Sequence, residues 1–303
     1  MDNAFKRKCM SLAAILCLSF VIFSGCAVNS DNDNVATGMV KIEQMDYQGA
    51  LDAFDAAVGA EENERLIYRG KGIAYMGLTD YAQAIDNFIM CLNLSDGMVQ
   101  DIDFDVNYYL ATAYFKNHNY REAADTYTAI IDLRPEEPDA HYLRGVSLLA
   151  LDEYIEARKD FDKVLTLTDG DCDRLIEIYQ SLDNYGYSEI GQEYLNRILD
   201  EKSDKLDDYD KGRIYYYLRE YPQACNYLEK SKDTGTAEAY LYLGRAYEAT
   251  GDYNYASSVY TSYVSKDASN AEVYNQLGLC RLEQGEYQLA LEAFQTAMSI
   301  ENN

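Results

Sequence analysis

The sequence predicts an all-α chain that repeats one two-helix unit about eight times. Three observations carry that expectation. Proline occurs only at Pro135, Pro138 and Pro222, while Ala, Leu, Tyr and Glu are abundant. Few breaks and many helix formers suit a helical chain. A small residue recurs at Ala50, Ala84, Ala123, Ala157, Gly191, Ala224, Ala256 and Ala290, at spacings of 34, 39, 34, 34, 33, 32 and 34. A second one stands twelve places earlier, at Gly38, Gly72, Ala111, Gly145, Gly212, Gly244 and Gly278, with Tyr179 in that place in the fifth unit.

The large residues keep the same phase. Four places after the first small residue come Phe54, Phe88, Tyr127, Phe161, Leu195, Leu228, Tyr260 and Phe294. Three places before it stand Tyr47, Tyr81, Tyr120, Tyr154, Tyr221, Tyr253 and Tyr287, and only Tyr187 slips by one. Gly inside a helix costs about 1 kcal/mol against Ala, so its recurrence means that something needs the room. A small residue on each helix lets two backbones approach, and the ring fills the gap between neighbouring hairpins. Gly251-Asp252, Gly285-Glu286 and Thr79-Asp80 mark turns that cap the second helix. Pro222 follows Tyr221 at a second-helix start, where a missing N–H is tolerated. In the fifth unit, Tyr179 with Gly191 reads as a volume swap between the two helices.

This pattern resembles the tetratricopeptide repeat, a helix–turn–helix of about 34 residues. The resemblance covers roughly residues 31–303 and implies an α-solenoid of about eight units in a right-handed superhelix. Units start near 31, 65, 104, 138, 172, 205, 237 and 271, and the array as a whole spans 35–303. The repeat-packing residues are those small residues: Gly38 and Ala50, Gly72 and Ala84, Ala111 and Ala123, Gly145 and Ala157, Gly191, Gly212 and Ala224, Gly244 and Ala256, Gly278 and Ala290.

The N-terminus reads as an address. Lys6, Arg7 and Lys8 precede an apolar run from Cys9 to Phe23, and Ser24-Gly25-Cys26 follows. The run is shorter than the ~20 residues a spanning helix needs but suits a signal-peptide core. Small residues directly before a Cys resemble the lipobox of bacterial lipoproteins, although Phe23 departs from the usual aliphatic residue there. The resemblance implies a signal peptide at 1–25 and a lipidated Cys26 that opens a polar tether, 26–34. Buried acyl chains contribute about 0.8 kcal/mol per methylene. The expected location is a bacterial membrane surface outside the cytoplasm.

Charge and chemistry narrow the function. With 52 Asp+Glu against 26 Lys+Arg, the chain lacks the basic footprint of a nucleic-acid binder. His118 and His141 sit in separate units without ligand partners at metal spacing and read as surface residues. Cys91, Cys172, Cys225 and Cys280 lie in separate units, Cys91 reads as a buried thiol, and the separation of units six and eight argues against a Cys225–Cys280 bridge. Asp101, Asp103 and Asp105 alternate like the start of a calcium loop, but Val106 and Thr112 replace the Gly and Glu it needs. That stretch reads instead as a longer solvated connection. No phosphate loop, nucleophile elbow or cofactor motif occurs, so the expectation is a binding protein, not an enzyme.

In the family, first helices line a concave groove that takes peptides. Carried over by position, the groove residues are Tyr108, Thr112, Phe115 and Lys116, Tyr142, Tyr209, Arg213, Tyr216 and Tyr217, and Arg245. Arg213 and Arg245 occupy one position in neighbouring units, which suggests an acidic or carboxylate-bearing partner segment. The competing reading pairs them internally, for example Arg245 with Glu248 or Glu238. Thirty tyrosines and no Trp give rings with one wet end, suited to half-buried surfaces. Leu291, Phe294 and Met298 of the last unit are expected to lack full cover, which suggests end-to-end association or a partner docking there. The reading is a lipid-anchored scaffold for protein partners in envelope assembly or export. The alternative is a peptide- or glycan-binding receptor using the groove.

Overall fold

A computed structural model describes residues 33–232 and 237–301. The leader and Cys26 lie outside the described residues. Sixteen helices follow one another, with no strand among the described residues. The pairs are α1 (Asn34–Glu43) with α2 (Tyr47–Gly59), α3 (Glu64–Gly77) with α4 (Tyr81–Asn93), and α5 (Asp101–Lys116) with α6 (Tyr120–Leu133). Then come α7 (Pro138–Ala150) with α8 (Tyr154–Leu167), followed along the chain by α9 (Cys172–Asn184) and α10 (Ser188–Lys202). Last are α11 (Asp208–Tyr217) with α12 (Tyr221–Ser231), α13 (Ala237–Ala249) with α14 (Tyr253–Val264), and α15 (Ala271–Glu283) with α16 (Tyr287–Glu301). The fold is an all-α solenoid in which odd helices open a repeat and even helices close it. Two compact bodies divide between Tyr185 and Gly186, inside the fifth repeat. Tyr179 is buried in the first body and Gly191 in the second.

Six hairpins close around a glycine socket. A Cβ built at Gly38, Gly72, Gly145, Gly244 or Gly278 would lie within 3.0 Å of the ring of Phe54, Phe88, Phe161, Tyr260 or Phe294 in the same repeat. At Gly212 it would meet Leu228 instead. Phe54 also fills a second socket, at Gly70 of the following repeat. In the third repeat Ala111 and Tyr127 are both buried, and Tyr109 covers the preceding Phe88 as a stacked ring 5.6 Å away. Ala50, Ala84, Ala123, Ala157, Ala224 and Ala256 have no exposure, and Ala290 almost none. Backbones therefore approach where side chains are smallest, and the aromatic ring supplies the buried apolar area.

The turn inside each repeat has one shape. The residue five places before the second-helix small residue has a left-handed φ throughout: Met45, Thr79, His118, Asp152, Gly186, Arg219, Gly251 and Gly285, between 60° and 88°. In seven repeats the next N–H reaches back five residues to a carbonyl, as Asp80 does to Tyr75 (3.0 Å) and Asp252 to Tyr247 (2.9 Å). That bond ends the first helix as a Schellman-type cap. The residue donating it then starts the second helix: Asp46, Asp80 and Asp252 accept from the N–H of Gly49, Gln83 and Tyr255. Pro222 sits in the first turn of α12.

Two expectations are corrected here. Asp101–Asp105 are not a solvated connection; they form the first turns of α5. Asp103 accepts from the Gln100 N–H at 2.7 Å and also pairs with Arg65, while Asp105 pairs with Arg69 and Asp101 with Arg134. Each carboxylate is held by an arginine, so the alternation serves helix capping and repeat junctions. His141 is not on the surface. It is buried, with Nδ1 2.8 Å from Asp160 Oδ1 and Nε2 3.1 Å from the Pro135 carbonyl. Asp160, buried too, also accepts from Arg144 Nε and Nη2 at 2.8 and 2.7 Å. His118 is exposed at its turn.

Candidate functional site

The groove positions of the first body are mostly structural. Thr112 is buried, its hydroxyl donating to the Tyr108 carbonyl at 2.9 Å. Tyr142 is buried and hydrogen-bonds Ser181 of the next repeat at 2.9 Å, so it is a junction residue and not an open groove residue. Both were expected on an accessible face. Tyr142 is engaged by the next repeat, whereas Thr112 is engaged within its own, its hydroxyl 3.4 Å from that of Tyr127. Tyr108 packs edge-on against Tyr127 at 6.1 Å, and Phe115 against Tyr120 at 5.2 Å. Tyr108, Phe115 and Lys116 are half-buried.

The second body gathers its positions into one cluster. Tyr216 contacts Tyr217, Tyr221 and Tyr242 at ring separations of 5.4, 5.9 and 5.4 Å, all edge to face. The Tyr217 and Tyr242 hydroxyls lie 3.0 Å apart, and Tyr209 meets Tyr242 at 6.3 Å. Arg213 lies 4.5 Å over the Tyr209 ring and pairs with Asp210 at 2.6 Å. Arg245 pairs with Glu272 of the next repeat, not with Glu248 or Glu238. Glu248 instead accepts from the Tyr260 hydroxyl at 2.7 Å and the Cys280 thiol at 3.2 Å. Both guanidiniums are thus held in place by their own chain. Tyr242 was absent from the groove assignment. Its spacing from Gly244 differs from that of Tyr209 to Gly212, so a position-by-position transfer passes over it.

Cys91, Cys172, Cys225 and Cys280 are buried and not disulfide-bonded. Burial and the nearby Glu229 push the Cys225 thiol up to about 11, and burial with Glu248 pushes Cys280 up as well. A thiol so disposed stays protonated and inert. Among the described residues no group of three or more His, Cys, Asp or Glu could hold a metal ion. No described helix is long and apolar enough to cross a membrane.

The tetratricopeptide repeat family profile matches residues 108–171, 209–254 and 243–300, which is half of the chain. The chain is a tetratricopeptide-repeat protein. It is 25% identical over 253 residues to TPR repeat-containing protein MJ1428 of Methanocaldococcus jannaschii. That alignment covers 78% of this chain but 42% of the relative, so the chain spans less than half the length of that curated protein. A solved tetratricopeptide repeat protein from Parabacteroides merdae is 18% identical, with a TM-score of 0.47, over 82% of this chain and 97% of its own. YrrB, described as a TPR protein with an unusual peptide-binding site, is 21% identical with a TM-score of 0.44, over 56% of this chain and 86% of its own. Proteins of this repeat family mediate protein–protein interactions, and none of these relatives is named as an enzyme.

Proposed function

We infer that this repeat protein is a lipid-anchored scaffold outside the cytoplasm, holding a protein or peptide partner on the first helices of repeats six and seven. The observation that carries the reading is the cluster of Tyr209, Tyr216, Tyr217 and Tyr242 beside Arg213 and Arg245. Half-buried tyrosines and fixed guanidiniums present large rigid area at little entropic cost, the composition of interface hot spots. An acidic or carboxylate-bearing segment enters by joining, or displacing, Asp210 and Glu272 at those guanidiniums. A glycan receptor needs open ring faces, whereas these rings turn edges onto their neighbours' faces. The basic, apolar, Ser-Gly-Cys order at the N-terminus supports anchoring through Cys26 and work in envelope assembly or export.

Crosslinking in intact envelopes tests the reading, with wild type compared to Arg213→Glu/Arg245→Glu. A protein recovered with wild type and lost with the variant is the expected result. Equal recovery from both would remove the groove from the account. Radiolabelled acyl incorporation that persists in Cys26→Ser would remove the anchor.

A further inference from the structure

The inter-repeat junction defines its own two faces. In α3, Ile67, Gly70, Ala74 and Gly77 form one stripe, spaced three, four and three residues apart. A Cβ at Gly70 would strike Phe54 and one at Gly77 would strike Tyr47, both from the preceding repeat. This stripe therefore receives the preceding repeat. The opposing stripe on α2 is Tyr47, Leu51 and Phe54, of which Leu51 and Phe54 are buried.

Both stripes also occur where no described helix covers them. On α1 the receiving stripe is Ala36, Val40 and Glu43, all exposed. Val40 is 49% exposed, whereas the residue in its register is buried in every later repeat, from Ala74 to Cys280. On α16 the donating stripe is Tyr287, Leu291 and Phe294. Leu291 is 49% and Tyr287 71% exposed, and Phe294 is half-buried where Phe54 is wholly buried.

We propose that these two stripes bind each other between copies of the chain, α16 of one copy docking on α1 of the next. The chain carries this junction within itself, and the register transfers. Phe294 then faces Ala36, as Phe54 faces Gly70. Leu291 meets Val40, and Tyr287 reaches Glu43. Glu283 already holds the position of Glu43 in the eighth repeat, opposite the register of Tyr253, so a carboxylate is accommodated there. The contact is heterologous and leaves one free stripe at each end, so it propagates in a line. It is independent of the tyrosine–arginine cluster.

Sedimentation velocity on the full chain, over rising concentration, tests this with Val40→Glu and Leu291→Glu. Both sites are exposed, so the variants keep the fold. Wild type is expected to sediment faster as concentration rises, and each variant alone to stay monomeric. An equimolar mixture of the two variants restores one intact pair of stripes and stops at a dimer. A wild type that is monomeric at every concentration overturns the proposal. So does a Val40→Glu chain that still self-associates, which would mean that α16 pairs with another α16. A mixture that stays monomeric overturns it as well.

Discussion

The turn inside each repeat has one backbone and two chemistries. In the first body its left-handed position is held by Met45, Thr79, His118 and Asp152, and in the second by Gly186, Arg219, Gly251 and Gly285. All stay in the left-handed region, at 60–64° for the non-glycine residues and 79–88° for the glycines. Side chains other than Gly resist that region, so the turn shape is imposed by what surrounds it. The reach-back bond and the ring-filled socket fix where the second helix must start. The first-helix surfaces differ in a parallel way. The first body links repeats through Arg65–Asp103, Arg69–Asp105 and Arg174–Asp139. The second joins repeats six and seven through tyrosine rings and keeps one such ion pair, Arg245–Glu272, between repeats seven and eight. Scaffold geometry is common to both, and surface chemistry is local.

The largest effect should come from the first body's buried ion cluster. Asp160→Ala leaves Arg144 and His141 without their shared carboxylate, and the expected loss is about 3 kcal/mol. Urea unfolding measures it, and a loss below about 1 kcal/mol would show that the cluster is not a determinant of stability. The sockets come next and should not distinguish the bodies. Gly72→Ala and Gly244→Ala each improve helix propensity yet push a Cβ into Phe88 or Tyr260. Each should lose about 1–3 kcal/mol in the same unfolding assay. A neutral result in either body would mean that its ring can yield.

The turns should show opposite signs. Thr79→Gly relieves a β-branched residue at φ 60° and should gain about 1 kcal/mol. Gly251→Ala should lose a similar amount, and equal melting temperatures for both would contradict imposed strain. The smallest effect belongs to Glu62. Its carboxylate accepts from the Val35 N–H at 2.9 Å and the Asn34 N–H at 3.0 Å, and these bonds hold its pKa below the ordinary value, the Val35 bond contributing most. A depressed carboxylate stabilises the fold above its unfolded pKa and ceases to do so as pH falls through the folded one. Melts of wild type and Glu62→Gln should therefore separate near neutral pH and converge in acid. A gap unchanged with pH would contradict the capping role.

The sockets were legible because a small residue against a ring repeats at fixed spacing, and a periodic demand leaves a periodic trace. The turn was legible at Gly251 and Gly285 and hidden at Met45 and Arg219, where no permissive residue marks the left-handed position. His141 was misread because its partner lies 19 residues away on another helix, inside the polar-looking run Lys159–Lys163. Asp101, Asp103 and Asp105 were misread because their partners, Arg134, Arg65 and Arg69, are distant in sequence. For the candidate surface, position alone placed Tyr216, Tyr217 and Arg213 correctly on first helices. It could not show that Tyr142 and Thr112 are covered, since their partners, Ser181 in the next repeat and Tyr127 in the same one, are distant in sequence.

The central functional claim is that a partner lies on the first-helix side of repeats six and seven, and the tyrosines themselves can report it. Hydroxyl-radical footprinting of the chain with its captured partner bound reads each ring separately. Tyr216, Tyr217 and Tyr242 should lose labelling, while the exposed Tyr255 on α14 and Tyr287 on α16 stay as reactive as before. Protection at Tyr255 with the first-helix rings unchanged would place the partner on the second helices and contradict the account.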